Sequence, residues 1–207
     1  MHPILIEVLP HFAGPSKELP LEQANPGDAG MDLYATEDLI VPPGGRALMP
    51  VGLKFALPVL GIENEESHGV MQFASEAGLQ LEVRPKSGLA IKLGLTLLNT
   101  PGTVDSGYRG EVAVILYNAN PVMTAPVLET LLGVLKSTHP VDLLEETVSK
   151  AHADATLTIK RGQKVAQAVF TQYLIPKIQV LPAGVLVPDS VRGSGGFGST
   201  GDGLTVM

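Results

Sequence analysis

The chain has 207 residues, 44% of them hydrophobic, which is long enough for one domain with a buried core. Its 23 glycines and 17 prolines favour many short strands joined by turns over long helices. A formal net charge of −7, with no cluster of lysines and arginines, argues against stable binding to nucleic acid or to an anionic membrane.

The N-terminal part of the chain has the pattern of short strands. "ILIEVLP" at 4–10 predicts a first strand, and "GDAGMDLYA" at 27–35 predicts a Gly-rich turn that enters a second. Residues 39–58 hold apolar runs interrupted by Pro-Pro-Gly-Gly and Met-Pro, which is typical of strands joined by tight turns. Residues 59–77 are more polar and predict an extended loop or hairpin excursion.

With no basic leader segment and no apolar run that could span a membrane, we expect a cytoplasmic protein.

The C-terminal part alternates between strands and one different segment. "LQLEVRPKSGLA" predicts a strand that ends at Pro85, and residues 93–118 predict a hairpin whose turn-rich loop separates two apolar strands. Residues 121–156 change to a helical periodicity and predict two short helices inserted into a β protein. Short strands are expected again up to residue 181.

Three segments contain residue types that suit phosphate or metal chemistry. Asp105 lies in "GTVDSGYRGEV" and is either a turn aspartate or a general base that orients a water molecule. "RPKSGLA" offers the charge of Lys86, the hydroxyl of Ser87 and backbone amides exposed by Gly88, which is what a phosphate site needs. Asp32 in "AGMDLYA" is either an outer-shell carboxylate for Mg²⁺ or a solubilising residue at a strand edge.

Other chemistries have little support in the sequence. There is no cysteine, which excludes disulfides, thiolate metal sites and a cysteine nucleophile. The five histidines lack the spacing of a metal site, and we interpret them as surface or loop residues. The C-terminal "RGSGGFGSTG" at 192–201 is either a flexible tail or a flap whose backbone amides close around an anion.

Five short segments occur in a fixed order between residues 29 and 201: "AGMDLYA", "RPKSGLA", "GTVDSGYRGEV", "RGQKVAQAVF" and "RGSGGFGSTG". In this order they resemble the five motifs of the trimeric deoxyuridine triphosphate nucleotidohydrolase (dUTPase) family. The third and fifth motifs are individually specific, whereas the other three gain force mainly from the order.

The resemblance implies a fold, an assembly and a reaction. The expected fold is an all-β barrel of the jelly-roll type, formed by a single domain over residues 1–207. That domain would carry insertions at about 59–77 and 121–156 and a flexible C-terminal arm at 188–207. The family assembles as a homotrimer with shared active sites. It hydrolyses dUTP to dUMP and pyrophosphate with Mg²⁺, which limits uracil in DNA and supplies dUMP for dTMP synthesis.

The resemblance also implies roles for individual residues. Asp105 would position and activate the water that attacks the α-phosphorus, and Asp32 would bind Mg²⁺ through a water molecule. Lys86, Ser87 and Gly88 would hold the β- and γ-phosphates together with Gln167. The loop that forms the uracil pocket and selects deoxyribose would comprise Asn99, Gly102, Thr103, Val104 and Tyr108, and the closing arm would contribute Arg192, Phe197, Gly198, Ser199 and Thr200.

Departures from the family pattern leave alternatives open. Lys86 stands where the family usually has arginine, so a point charge replaces a bidentate fork. The related dCTP deaminases carry a catalytic glutamate at the position of Ile115, which cannot activate water. A dCTP deaminase is therefore the weaker enzyme hypothesis. A binding or signalling module that acts through the 121–156 insertion is a third, although the intact Asp105 and Asp32 favour retained catalysis.

Overall fold

A computed structural model of the protein describes residues 3–61, 74–121, 141–176, 178 and 180–185. Strands are the main secondary structure of these residues, with only two helices beside them, so the all-β fold class expected from the sequence is confirmed. The strands are β1 Leu5–Val8, β2 Met31–Tyr34, β3 Leu39–Val41, β4 Arg46–Pro50, β5 Leu53–Ala56, β6 Val59–Gly61, β7 Ala74–Arg84, β8 Leu95–Leu97, β9 Gly102–Val104, β10 Ala113–Asn118, β11 Leu157–Ile159 and β12 Lys164–Pro176.

The largest sheet is built around β12. This strand pairs antiparallel with β2 on one edge and with β7 on the other, and the far edge of β7 pairs with both β6 and β9. The other pairings are β4-β10-β8, β1-β5 and β11-β3. Strands distant in sequence therefore become neighbours throughout the fold.

The length of β12 differs from the sequence-based expectation. Several short strands were expected up to residue 181, whereas one strand of 13 residues runs from Lys164 to Pro176. Its first part is buried on both faces, with Val165, Ala166, Ala168 and Val169 all in the core. The strand is long because it pairs with two partners in succession, with β2 along Lys164–Ala168 and with β7 along Gln167–Pro176.

The core follows the alternation of the flanking strands. In β10, Val114, Leu116 and Asn118 are buried, while the intervening side chains are half-buried. Asn118 is fully buried, and its side-chain amide donates 2.9 Å hydrogen bonds to the carbonyls of Val41 and Ala155. These bonds satisfy a polar side chain that would otherwise be costly to bury.

Two helices accompany the strands. Helix α1 spans Ser87–Leu93 and ends at Gly94, whose φ of 68° is the left-handed conformation that suits a glycine C-cap. The sequence did not predict α1. Helix α2 spans Val141–Asp154 and corresponds to the second of the two helices predicted in 121–156. The first of them lies at residues 124–137, outside the described part of the chain.

The two segments that the sequence predicts to be insertions meet the rest of the fold at defined points. Past the end of α2, the carbonyl of Ala155 accepts a hydrogen bond from Asn118, and the Asn120 amide donates to the carbonyl of Leu93 at the end of α1. Strand β6 pairs with residues 76–78 of β7, so the described ends of the 59–77 segment run side by side. Within the described residues, neither helix is long and apolar enough to cross a membrane.

Candidate active site

Three of the five sequence motifs meet in the large sheet. Gln167 on β12 lies opposite Asp32 on β2 and, on its other side, opposite Arg84 at the end of β7. Lys86 follows β7 by two residues, because the strand stops before Pro85. The first, second and fourth motifs are thereby brought together at one place.

Asp32 is held by two lysines. Lys86 Nζ bonds one carboxylate oxygen, and Lys164 Nζ lies 2.6 Å from the other. The Asp32 side chain is only 13% exposed. Burial opposes its ionisation, but the hydrogen bonds from Lys164 and Lys86 outweigh burial and keep the pKa of Asp32 below its usual value. The same contact raises the pKa of Lys164. The site therefore holds a firmly ionised carboxylate.

Gln167 links the fourth motif to the first two. Its Nε2 donates a 3.0 Å hydrogen bond to the carbonyl of Pro85, in the second motif. Its Oε1 lies against Gly30, in the first motif, so closely that a Cβ atom on Gly30 would collide with it. A glycine is needed at position 30 because the Gln167 side chain occupies the space a side chain there would take.

Ser87 and Gly88 form the first turn of α1. The amides of Leu89 and Ala90 both donate to the Lys86 carbonyl, which begins the helix. The first amides of a helix have no partner within the helix and can bind an anion. Apart from Gly88, its chain neighbours and the backbone of α1, no described atom lies within 4 Å of the position that a Cβ on Gly88 would take, so this side of the turn is open to a ligand.

Asp105 lies in a separate group, on the loop that follows β9. A cavity of about 200 Å³ is lined by Thr103, Val104, Asp105, Tyr108, Glu111, Val112 and Ala113. The turn is closed by the amide of Tyr108, which donates to the backbone carbonyl of Asp105 rather than to its side chain. Asp105 is exposed, and its carboxylate forms no hydrogen bond or ion pair with any described residue. It is therefore free to bind a water molecule.

The walls of this cavity are fixed by nearby backbone. The Tyr108 hydroxyl donates a 3.0 Å hydrogen bond to the Glu111 carbonyl, and its ring folds over Gly110, where a Cβ would collide with that hydroxyl. The Asn99 side chain lies over Gly102, with its Nδ2 3.3 Å from the position of a Cβ there. Arg109 Nη1 donates to the carbonyls of Ser106 and Tyr108 and so fixes the backbone of this turn.

The two groups lie apart within the described part of one chain. Among the described residues, no hydrogen bond or ion pair connects Asp105 with Asp32, Lys86 or Gln167. Strand β9 runs antiparallel to β7, from Gly102 opposite Val83 to Val104 opposite Leu81. Asp105 thus lies further along β9, away from the end of β7 that carries Lys86.

Comparisons with known proteins show the family of this chain. The sequence profile of the dUTPase family matches residues 18–64. A deoxyuridine 5'-triphosphate nucleotidohydrolase from Clostridium tetani is 34% identical over 180 residues, which cover 87% of this chain and 87% of that protein. One from Brucella melitensis is 37% identical over 179 residues, covering 84% and 80% of the two chains. The chain belongs to the dUTPase family.

Solved structures of this family share its fold. The dUTPase of Staphylococcus bacteriophage 80alpha, with dUPNHPP, superposes with a TM-score of 0.63 at 17% identity, over 98% of this chain and 100% of that one. The dUTPase of S. aureus phage phi11 superposes with a TM-score of 0.55 at 15% identity, over 87% and 96% of the two chains. At this identity the likeness is evidence of the fold alone.

Sequence reasoning missed several residues around the dUTPase motifs. Lys164 is part of the fourth motif, and its charge beside Gln167 was the available signal. Glu111 is the next-to-last residue of the third motif. Its Oε1 accepts a 2.8 Å hydrogen bond from the amide of Gly52 and lies 2.7 Å from His11 Nε2. Tyr173, whose hydroxyl lies 2.9 Å from that of Ser106, gave no signal because the two residues are 67 positions apart.

The expected Mg²⁺ site of the dUTPase family can be tested against the residues present. Among the described residues, no three His, Asp or Glu side chains come together as a ligand set. Both oxygens of Asp32 already accept hydrogen bonds from lysines. A lone carboxylate of this kind fits an outer-shell role, in which it binds a water of the ion, and does not fit a cage of protein ligands.

The arm residues predicted at Arg192, Phe197, Gly198, Ser199 and Thr200 lie outside the described residues.

Proposed function

We infer that the protein is a dUTP diphosphatase that hydrolyses dUTP to dUMP and pyrophosphate. The observation that carries this inference is an exposed Asp105 on the wall of a small cavity, whose carboxylate has no partner among the described residues, in a chain that matches dUTP nucleotidohydrolases over most of their length. The relatives carry that activity in their names, and this chain keeps the residue types it needs.

Asp105 is the proposed general base. Its carboxylate accepts a proton from a water molecule, and the water oxygen attacks the α-phosphorus while the bond to the bridging oxygen of pyrophosphate breaks. Such a reaction depends on the positioning of the nucleophile and on neutralising charge, so a rigid carboxylate with no competing partner suits it. The turn bond from the Tyr108 amide to the Asp105 carbonyl supports that rigidity.

Lys86, Ser87 and Gly88 are the proposed phosphate-binding residues. Their place at the first turn of α1 supports this role, because amides and an ammonium group can both face an anion there. Lys86 must then exchange the Asp32 carboxylate for a phosphate oxygen, while Lys164 stays beside Asp32. Two lysines on one carboxylate make this exchange possible without leaving Asp32 unpaired.

Mg²⁺ is the proposed cofactor. It would neutralise charge on the triphosphate oxygens, with Asp32 as the residue that holds one of its water ligands. A solved structure of a mutant dUTPase from S. aureus phage phi11 reveals the coordination of a structural Mg(II) ion. That finding concerns the phage protein and leaves the role of Asp32 here as a proposal.

Asn99, Gly102, Thr103 and Val104 are proposed to form the uracil pocket, with Tyr108 against the deoxyribose. The tight packing of Asn99 on Gly102 supports a narrow pocket that leaves no room for a thymine methyl group. A ribose 2'-hydroxyl would meet the Tyr108 ring. We therefore expect dTTP and UTP to be poor substrates.

A homotrimer with shared active sites is the proposed assembly. The separation of the Asp105 group from the Asp32 group within one chain supports it, because a neighbouring subunit could bring the two together.

The C-terminal arm, with Phe197 stacking on uracil and Arg192 on the γ-phosphate, is proposed to close the site. Deleting residues 192–207 tests this role, and undiminished dUTP hydrolysis by the shortened chain would contradict it.

Pyrophosphate release from a panel of nucleotides, with and without Mg²⁺, tests the proposed function. We expect hydrolysis of dUTP, with dTTP, dCTP and UTP turned over at least about 100-fold less efficiently. Comparable turnover of dTTP would contradict the proposed pocket, and ammonia release from dCTP would favour the deaminase instead.

The Asp105→Asn variant tests the proposed base. It should bind dUTP with nearly unchanged affinity and lose roughly 10²–10⁴-fold in kcat, the range for removal of a general base. The Asp154→Asn variant is a matched control, because Asp154 is an exposed aspartate at the end of α2. Near-normal kcat in Asp105→Asn would remove Asp105 from the mechanism.

A further inference from the structure

We propose that Tyr173 is a positioning residue for the Asp105 loop, acting through a hydrogen bond to Ser106. This inference rests on the proposed role of Asp105 as the general base. Tyr173 lies outside all five family motifs, in the C-terminal half of β12. Its side chain contacts the loop only because β7 lies between β12 and β9 in the sheet.

The contact crosses a whole strand. Tyr173 on β12 is paired with Gly78 on β7, and the Asp105 loop follows β9 on the opposite edge of β7. A Cβ atom on Gly78 would lie 2.6 Å from the Tyr173 hydroxyl oxygen and 2.7 Å from two of its ring carbons. The ring therefore lies flat across β7 at the one residue that has no side chain, and its hydroxyl reaches the loop beyond.

The residue that receives this contact is adjacent to Asp105. Ser106 is 9% exposed, and its hydroxyl lies 2.9 Å from that of Tyr173. The Ser106 carbonyl accepts a 2.6 Å hydrogen bond from Arg109, so Ser106 is fixed through both its backbone and its side chain. Because Asp105 is exposed and its carboxylate has no partner in the described part of the chain, the position of that carboxylate depends on this buried neighbour.

The strand that carries Tyr173 also carries Gln167, six residues earlier. Strand β12 is thus bonded to the motif with Lys86 through Gln167 and to the loop with Asp105 through Tyr173. Loss of the Tyr173 hydroxyl would free the loop without removing any group that touches substrate. A displacement of about 1 Å in a catalytic group can cost on the order of 100-fold in rate, so a partial loss of order should reduce kcat measurably.

The test compares Tyr173→Phe, Ser106→Ala and the double variant with the wild-type protein. Tyr173→Phe keeps the ring over Gly78 and removes only the hydroxyl. Tyr117→Phe is a matched control, because the Tyr117 hydroxyl forms no hydrogen bond with the described residues. The measurements are kcat and KM for dUTP from pyrophosphate release, together with the thermal midpoint of each variant.

We expect Tyr173→Phe and Ser106→Ala each to lower kcat about tenfold with KM within about twofold of wild type, since the groups that bind ground-state substrate are untouched. The double variant should be no slower than the slower single variant, because one hydrogen bond is lost in all three. Tyr117→Phe should keep kcat within about twofold of wild type.

Several results would overturn the proposal. One is a normal kcat in Tyr173→Phe, with or without a lowered thermal midpoint, because the contact would then be structural only. Others are a raised KM with unchanged kcat and multiplicative losses in the double variant. An inactive wild-type protein would overturn the proposed function and this inference together, whereas active wild type with normal Tyr173→Phe would overturn only the latter.

Discussion

Gly30 offers a sharp test of how the first and fourth motifs fit together. A Gly30→Ala substitution places a methyl group against Gln167 Oε1, and the end of the Gln167 side chain is the part that can move. Moving it breaks the 3.0 Å hydrogen bond to the Pro85 carbonyl in a partly buried place. Leaving such a carbonyl without its partner costs about 1–3 kcal/mol. For a chain of this size, that loss should lower the thermal midpoint by roughly 2–10 °C.

The same reasoning predicts how Gly30→Ala behaves when Gln167 is already shortened. In a Gln167→Ala background the collision is gone, so Gly30→Ala should cost little. It could even stabilise by about 0.4–1 kcal/mol, because alanine reduces the entropy of the unfolded chain. Thermal unfolding of the two single variants and the double variant measures the coupling. Additive losses in the double variant would refute the assignment of the clash to Gln167.

Three further predictions concern the hydrophobic core, the loss of stability at acid pH and the role of the Tyr108 side chain. Leu116→Ala, at a fully buried position of β10, should lower the free energy of unfolding by about 3–5 kcal/mol in a denaturant titration. Asp32 has a lowered pKa, so its contribution is present above the unfolded value of about 3.9 and is lost as pH falls through the lower folded value. Asp32→Asn should therefore lose less stability than wild type as the pH falls from about 5 to about 2 in a series of thermal unfolding measurements. Gly110→Ala should push the Tyr108 ring off the Glu111 carbonyl and reduce the preference for dUTP over UTP in kcat/KM, whereas an unchanged ratio would argue against Tyr108 as the sugar wall.

Much of the local structure could be predicted from the sequence. The apolar, β-branched run in "EVAVILYN" predicted β10, and the break at Pro85 predicted the end of β7. The leucine spacing in 141–151 predicted α2. These features depend on neighbours within one strand or one helix turn, and such neighbours are visible in the sequence as periodicity.

Helix α1 was not predicted from the sequence. Its seven residues are too few to show a helical period, and they follow a strand directly. The length of β12 was also missed, since it comes from pairing first with β2 and then with β7, and both strands are distant in the sequence.

The motif order was sufficient to indicate the family, and the family comparison agrees with it. The residue types of Asp32, Lys86 and Asp105 indicated phosphate chemistry without any structure. Those conclusions come from the chemistry of single side chains and short segments, which the sequence states directly.

Which side chains contact each other was determined only by the pairing of distant strands. Gln167 lies opposite Asp32, far away in the sequence, because β12 pairs with β2. Lys164, next to a register shift in that pairing, also contacts the Asp32 carboxylate. Tyr173 contacts Ser106 across Gly78 of β7. Pairing of this kind is set by the packing of the whole sheet, so no local pattern around any of these residues could reveal it.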